Sequence, residues 1–179
     1  INNVTSNLAH LWNLFRVQDY VGHLYLLKEQ QNEALDILEI GPGYGCGAHI
    51  LISLGLVKSY TCVDLSENLG NSVFFLSRNY PDWKVNFCRS RSDLCTKSKN
   101  LNFVLASKFD DLEKVQFDVA INTDSFGEMP ANTATLYIQK IQYLLRESGL
   151  LISMNGHRRG QYELTGVNKV SDYGYENFK

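Results

Sequence analysis

Hydrophobic residues recur with two different periods along the chain, and the change of period separates the predicted elements. Over residues 4–30, apolar residues return every three or four positions, which predicts one long or two shorter amphipathic helices. Residues 34–41 form a short, largely apolar run that contains β-branched isoleucines and ends in glycine, which predicts a buried strand. We therefore expect an N-terminal helical extension over residues 1–30, followed by a core that contains a sheet.

The rest of the chain alternates between apolar runs of strand length and longer amphipathic segments. These segments are helices predicted over residues 48–56, 66–79 and 132–147, and strands predicted over residues 60–64, 101–106, 117–122 and 149–154. Alternation of strands and helices is typical of a parallel sheet with helices on both faces. The sequence therefore predicts one α/β domain over residues 1–179, with a Rossmann-like, doubly wound and mostly parallel sheet.

Two stretches do not follow this alternation. Residues 81–100 begin with a Pro-Asp pair and contain polar, loop-like runs, so we expect an insertion loop there with a short strand at residues 84–87. After the last predicted strand, the chain has room for a short hairpin around residues 161–165 and 170–173.

Composition narrows the class of protein. With 44% hydrophobic and 20% charged residues the chain has the composition of an ordinary soluble domain. A net charge of -2 argues against a broad basic surface, so no nucleic-acid partner is expected. No apolar run approaches the ~20 residues of a membrane helix, and no signal peptide is visible, so no membrane insertion is expected. Four cysteines without CxxC spacing favour reduced thiols in a cytoplasmic protein.

A glycine-rich segment connects the first predicted strand to the helix that follows. It consists of Gly41, Pro42, Gly43, Tyr44 and Gly45. A strand that enters such a turn makes a cradle for an anion or a nucleotide, because glycines allow close approach of the backbone and the helix start supplies N–H donors. Since such loops serve several cofactors, the flanking residues must distinguish between them.

Two carboxylates flank this loop. Glu39, two residues before it, suits the ammonium group of a methionine and would repel a pyrophosphate. Asp64 ends the second predicted strand, where a carboxylate accepts hydrogen bonds from both hydroxyls of a ribose. Each has a plainer interpretation, Glu39 as an exposed strand-end acid and Asp64 as a helix N-cap. A shifted register from Gly43 to Ala48 also fits the dinucleotide fingerprint, so NAD remains an alternative cofactor.

Residues 38–45 resemble the first motif of the class I S-adenosylmethionine-dependent methyltransferases. Asp64 matches the acidic residue at the end of their second strand, and residues 117–122 and 149–153 match their fourth and fifth strands. The resemblance spans residues 34–157. It implies S-adenosylmethionine as the cofactor and a seven-stranded sheet whose final strand is antiparallel.

The resemblance also implies further cofactor contacts. Besides Glu39, the loop and Asp64, these are Leu65 and Asn122. The family usually places an acidic residue near the adenine after its third strand, where this chain has Ser107, with Asp110 and Asp111 slightly later.

A narrower resemblance concerns residues 122–130, which are similar to those of the sugar O-methyltransferases found in bacterial polysaccharide gene sets. It implies that the methyl acceptor is a sugar hydroxyl on a glycan or a small molecule.

A neutral alcohol is a poor nucleophile, so an activating base is expected where the fourth and fifth strands end. His157 is our first candidate, since its unperturbed pKa lies near operating pH; the plainer interpretation is a surface histidine beside Arg158 and Arg159. Asp124 is the second, as a base or as a residue that orients the acceptor, unless it only starts a turn. Glu128 would bind substrate or form a charge pair that shapes the loop. Two acids four positions apart do not specify a metal, so none is predicted.

Two other functions remain open at this stage. An NAD-dependent oxidoreductase is favoured only by the shifted register, which offers no account of Glu39 or of residues 124–130. A non-catalytic domain that binds S-adenosylmethionine would keep the fold without transferring a methyl group.

Overall fold

The computed structural model describes residues 2–113 and 115–155, with the side chains of residues 13–90, 92–113 and 115–155. The helices and strands alternate along these residues, with short 3-10 turns between some of them. The helices are α1 (Asn2–Gln31), α2 (Cys46–Ser53), α3 (Ser66–Asn79) and α4 (Ala131–Leu144). The strands are β1 (Leu35–Ile40), β2 (Val57–Asp64), β3 (Lys84–Cys88), β4 (Asn100–Leu105), β5 (Phe117–Thr123) and β6 (Leu145–Met154).

The six strands form one sheet in the order β3-β4-β2-β1-β5-β6, and every neighbouring pair is parallel. The predicted doubly wound, Rossmann-like fold is thereby confirmed. The antiparallel final strand and the C-terminal hairpin fall on residues 156–179, outside the described part of the chain.

Helices cover both faces of the sheet. On one face, α1, α2 and α3 pack over one set of strand residues, which includes Leu35 and Ile37 of β1. On the other face, α4 and the 3-10 turn Ala106–Asp111 pack over Leu38 and Ile40. Every residue of β1 is buried, as expected for a strand in the middle of a parallel sheet covered on both sides. None of the described helices is long and apolar enough to span a membrane.

Two boundaries differ from the sequence predictions or decide between them. The N-terminal region is one helix, α1. The helix predicted to reach residue 147 ends at Leu144, and β6 begins at Leu145. Leu145 pairs with Phe117, whereas Leu150 pairs with Val119, so residues 146–149 bulge out of the ladder. The apolar spacing of α4 therefore continues into an irregular strand, which explains why the sequence predicted a longer helix.

The short strand predicted at residues 84–87 within the expected insertion is confirmed as β3, which pairs with β4 as the edge strand of the sheet. Asparagine side chains join this edge strand to its neighbours. The Asn86 amide donates to the Oδ1 atoms of Asn100 and Asn102 at 3.0 and 3.1 Å. Asn102 in turn donates to the Thr61 hydroxyl at 3.2 Å and to the Cys95 carbonyl at 2.9 Å. The loop proper is confined to residues 89–99.

A charge cluster lies where the parallel strands begin, at the amino-terminal end of the sheet. Asp36 and Asp118 are each 1% exposed. The Arg146 guanidinium bridges them, at 3.2 Å from Asp36 and in direct contact with Asp118. Ser59 donates a further hydrogen bond to Asp36 at 2.7 Å. Buried carboxylates are costly unless they are paired, so Arg146, together with Lys58 at 3.7 Å from Asp36, allows both acids to lie inside the fold.

We expect Arg146→Gln to lower the free energy of unfolding by about 2 kcal/mol, because Asp118 loses its cation and Asp36 keeps only Lys58. Chemical denaturation at neutral pH measures this loss. Lys108→Gln is the control, since it breaks an exposed pair with Asp111, and exposed pairs contribute little. Equal stability of the two variants would contradict the role given to Arg146.

Candidate active site

The carboxyl ends of β1, β2, β4 and β5 meet at one edge of the sheet. Strands β2 and β4 lie on one side of β1, and β5 and β6 lie on the other, so the strand order reverses between β1 and β5. Parallel α/β sheets bind ligands at such a switch point. A cavity of about 360 Å³ opens there. Its lining residues come from the strand ends, the glycine loop and α4: Ile40, Gly41, Gly43, Val63, Asp64, Leu65, Asn68, Ala106, Thr123, Asp124, Ser125, Glu128, Met129, Thr133 and Tyr137.

The glycine loop between β1 and α2 turns at three left-handed positions. Gly41, Gly43 and Gly45 have φ angles of 74°, 56° and 82°, which side chains other than glycine rarely adopt. The Gly41 amide donates to the Val63 carbonyl at 2.9 Å, and the Gly45 amide donates to the Pro42 carbonyl at 2.8 Å. Gly41 and Gly43 line the cavity, so their backbone is accessible to a ligand.

The other residues predicted from the loop lie away from the cavity wall. Pro42 is buried, and Gly45 is so close to Leu76 that an added Cβ would lie 3.0 Å from its side chain. Tyr44 is 65% exposed. The lining includes neither Pro42, Tyr44 nor Gly45, so their contacts with a cofactor stay predictions.

Asp64 ends β2 and forms part of the cavity wall with Leu65. Its Oδ1 atom accepts hydrogen bonds from the Leu65 backbone N–H at 2.7 Å and from Asn68 Nδ2 at 3.3 Å. The carboxylate is therefore held in place by the start of α3. A fixed carboxylate at the end of the second strand can accept hydrogen bonds from a ribose.

Asn122, another predicted cofactor residue, is fully buried near the end of β5. Its amide donates to the Ile40 carbonyl at 3.1 Å and contacts the Ser125 hydroxyl. Ser125 donates to the same carbonyl at 3.0 Å. The lining does not include Asn122; the residue ties the end of β1 to the segment after β5, and a direct cofactor contact stays a prediction.

Glu39 does not lie where the sequence placed it. We expected its carboxylate to face the cofactor, but it is 4% exposed and absent from the lining. Odd-numbered residues of β1 point towards α1 and α2, so the carboxyl is buried there and accepts a hydrogen bond from the Tyr60 hydroxyl at 2.8 Å. The pKa of Glu39 is raised to about 7. Burial is the main cause and the charge of Asp64 adds to it, whereas the Tyr60 hydrogen bond acts in the opposite direction.

Asp124 follows β5 and lines the cavity. It adopts a φ of 68°, which is uncommon for a residue other than glycine but tolerated by Asp. Its Oδ2 atom lies 2.5 Å from the Arg16 guanidinium of α1, and the two side chains are 40% and 17% exposed. The N-terminal helix therefore reaches the switch point through this ion pair.

The remaining predicted catalytic residues differ in what the structure describes. Glu128 ends the 3-10 turn Ser125–Glu128 and lines the cavity. His157 lies outside the described residues, together with Arg158 and Arg159. The roles of Asp124, Glu128 and His157 in catalysis stay predictions. Within residues 2–113 and 115–155, no three His, Cys, Asp or Glu side chains are grouped so that they could hold a metal.

Sequence reasoning did not identify several residues of the cavity wall, among them Ala106 after β4 and Tyr137 of α4. Ser107, at the position where the family has its adenine contact, is exposed and outside the lining, so its contact with a cofactor stays a prediction, whereas Ala106 lines the cavity. Tyr137 of α4 also lines it, and its ring stacks on Phe109 with centroids 4.8 Å apart. In the sequence, Tyr137 is one more apolar position of an amphipathic helix, so no pattern distinguishes it from a core residue.

Three solved structures have a similar fold. An S-adenosylmethionine-bound amino pentose methyltransferase from Micromonospora echinaspora, CalS10, has a TM-score of 0.55 and 9% identity over 78% of this chain and 50% of its own. DesVI of Streptomyces venezuelae has a TM-score of 0.50 and 15% identity over 85% of this chain and 57% of its own. The PH0226 protein of Pyrococcus horikoshii has a TM-score of 0.50 and 18% identity over 77% of this chain and 55% of its own.

The chain has a methyltransferase fold. It spans about half the length of these structures. No family model matches the sequence, and no curated protein matches it significantly. The likeness is therefore one of architecture.

We expect Gly41→Ala to destabilise the protein by about 2 kcal/mol or more. The added Cβ would lie 2.5 Å from the Ser125 Cβ, and the φ of 74° is itself unfavourable for alanine. Thermal unfolding measures the effect. Gly22→Ala is the control, because nothing lies within 4 Å of its Cβ position in α1, and alanine favours a helix by up to about 1 kcal/mol. Similar melting temperatures for both variants would show that the loop has another conformation.

We expect Glu39→Gln to be more stable than the parent protein above pH 7. Below pH 4.5 the carboxyl is protonated in both the folded and the unfolded chain, so the charge costs nothing. Between pH 4.5 and about 7 this carboxyl ionises only in the unfolded chain, so the stability of the parent protein falls as the pH rises. Above that window the buried carboxylate is charged in the folded chain too, and the loss of stability stays constant. A melting-temperature difference that grows across this window is the expected result. The exposed Glu113→Gln should show no such trend; a flat difference for Glu39→Gln would contradict the raised pKa.

Proposed function

We propose that this protein is an S-adenosylmethionine-dependent methyltransferase that methylates a sugar hydroxyl. The observation that carries the proposal is the cavity at the switch point, because it brings the glycine loop and Asp64 to one wall. These are the two features that the sequence linked to the cofactor, and they come from separate strands.

The cavity suits the cofactor in shape and chemistry. Gly43 lines it, and nothing lies within 4 Å of the position that a Cβ would occupy, so the loop backbone leaves room for a ligand. The fixed carboxylate of Asp64 suits the two ribose hydroxyls. Leu65, Ala106 and Tyr137 supply apolar surface for a flat base near the same end. A volume of about 360 Å³ falls within the range of small-molecule sites.

When bound, S-adenosylmethionine supplies a methyl group on a positively charged sulfur. The chain must then align the acceptor with that methyl group, keep water out and take the proton of the hydroxyl. Asp124 and Glu128 are the carboxylates of the wall near the end of β5. We propose that Glu128 and His157 accept this proton and that Asp124 helps to align the two reactants.

The sugar acceptor is supported by residues 122–130, whose resemblance to sugar O-methyltransferases covers the segment that forms this part of the wall. Phe126 of this segment is fully buried, which anchors the 3-10 turn that carries Glu128. Transfer of a labelled methyl group from S-adenosylmethionine to one member of a panel of free and nucleotide-linked sugars would support this acceptor class. Transfer to proteins or nucleic acids instead would contradict it.

We expect Asp64→Asn to weaken the binding of S-adenosylhomocysteine by about tenfold or more, because a charge-assisted hydrogen bond is lost. Asparagine keeps an oxygen that can accept from the Leu65 N–H, so the fold should persist. Isothermal titration calorimetry measures the affinity, with the exposed Asp82→Asn as the control. Binding of NAD by the parent protein without binding of S-adenosylhomocysteine would replace the proposal with the oxidoreductase alternative.

A further inference from the structure

Asp124, a carboxylate of the cavity wall near the end of β5, is held by contacts of both its backbone and its side chain. Its backbone N–H donates to the Met154 carbonyl at 2.9 Å, and its carbonyl accepts from the Gly127 N–H at 3.0 Å. Its side chain pairs with Arg16 at 2.5 Å. A charged residue held from three elements in a left-handed conformation is a costly arrangement, and such arrangements concentrate at functional sites.

The position of Asp124 relative to Asp64 follows from the sheet. β1 lies between β2 and β5, so the two carboxylates extend from strands that are two spacings, or roughly 10 Å, apart. Gly41 leaves β1 between them. One elongated ligand lying over the glycine loop would therefore meet a carboxylate at each end.

S-adenosylmethionine carries groups at both ends that need such partners. Its ribose hydroxyls donate hydrogen bonds, and its ammonium group, beyond the sulfur, needs a negative charge. Glu39 was expected to supply that charge, but its carboxyl is buried under α1 and α2 and bonded to Tyr60. With Asp64 at the ribose, Asp124 at the other end of the cavity is a carboxylate placed to meet the ammonium group.

We infer that Asp124 binds the ammonium group of the methionine portion of the cofactor, and that Arg16 of α1 is the residue that positions its carboxylate. The inference rests on the proposed function. It gives α1 a place in the site, because the helix supplies the cation that holds Asp124 while the other carboxylate oxygen, Oδ1, serves the ligand. The proton of the acceptor then falls to Glu128 and His157.

The test compares two ligands that share the adenosine and the sulfur and differ at the amino-acid end. S-adenosylhomocysteine has the ammonium group, whereas 5′-methylthioadenosine keeps the adenosine and the sulfur but lacks the amino-acid end. We expect Asp124→Asn to weaken S-adenosylhomocysteine about tenfold or more, as for the loss of a charged hydrogen bond, and to change the affinity for methylthioadenosine less than about twofold. Asp64→Asn should weaken both ligands. Calorimetry measures all affinities without requiring turnover.

Arg16 is tested through the same two ligands. Arg16→Gln should weaken S-adenosylhomocysteine by a smaller factor than Asp124→Asn and leave methylthioadenosine unchanged, and Arg16→Lys should recover part of the loss. The exposed Arg78→Gln on α3 is the matched control. In each variant, unchanged binding of methylthioadenosine shows that the fold and the adenosine end are intact.

Several results would overturn the inference. Asp124→Asn could leave both affinities unchanged or lower both by the same factor, and either result removes Asp124 from the ammonium site. If the parent protein binds methylthioadenosine and S-adenosylhomocysteine equally well, the amino-acid end has no site here, although the proposed cofactor stands. If the parent binds neither ligand, the proposed function itself fails.

Discussion

The carbonyl of Ile40 accepts hydrogen bonds from Asn122 and Ser125, and the site depends on this contact. It joins the end of β1 to the segment after β5 across the point where the strand order reverses. Because the chain leaves β1 towards β2 on one side and leaves β5 towards β6 on the other, the sheet alone would leave the loops after β1 and β5 free to separate. The two side chains hold the glycine turn against the turn that carries Asp124 and Glu128, so one wall is built from both.

The two ends of the sheet treat charge differently. At the amino end, Asp36 and Asp118 are buried and paired with Arg146 and Lys58, which allows β1 and β5 to carry acids inside the fold. At the carboxyl end, Asp64, Asp124 and Glu128 line an open cavity. The acids that stabilise the sheet are therefore inside it, whereas those available to a ligand stand where the strands stop. Glu39 is the exception, since it sits near the site but behind it.

Most of the fold could be predicted from the sequence, because a sheet that is buried on both faces has strands that are apolar runs, and these alternate with helical patterns. It placed Asp64 and the turn glycines at the site through their positions at strand ends. It misplaced Glu39, because strand alternation decides which face a side chain takes, and one residue determines whether it meets the cavity or the core. Tyr137 and the pairing of Arg16 with Asp124 were invisible, since both depend on contacts between elements far apart in the chain. The bonds of Asn86 to Asn100 and Asn102 of β4 could not be predicted for the same reason.

The central claim is that an adenosyl cofactor occupies the switch-point cavity. Hydrogen exchange of the backbone amides, with and without S-adenosylhomocysteine, tests it most directly, because it locates binding without knowledge of the acceptor. The account predicts slower exchange in three separate segments, residues 41–47, 64–68 and 123–129, with little change in β3 or at the amino end of the sheet. Protection confined to another surface, or no protection at ligand concentrations that saturate binding, would contradict it.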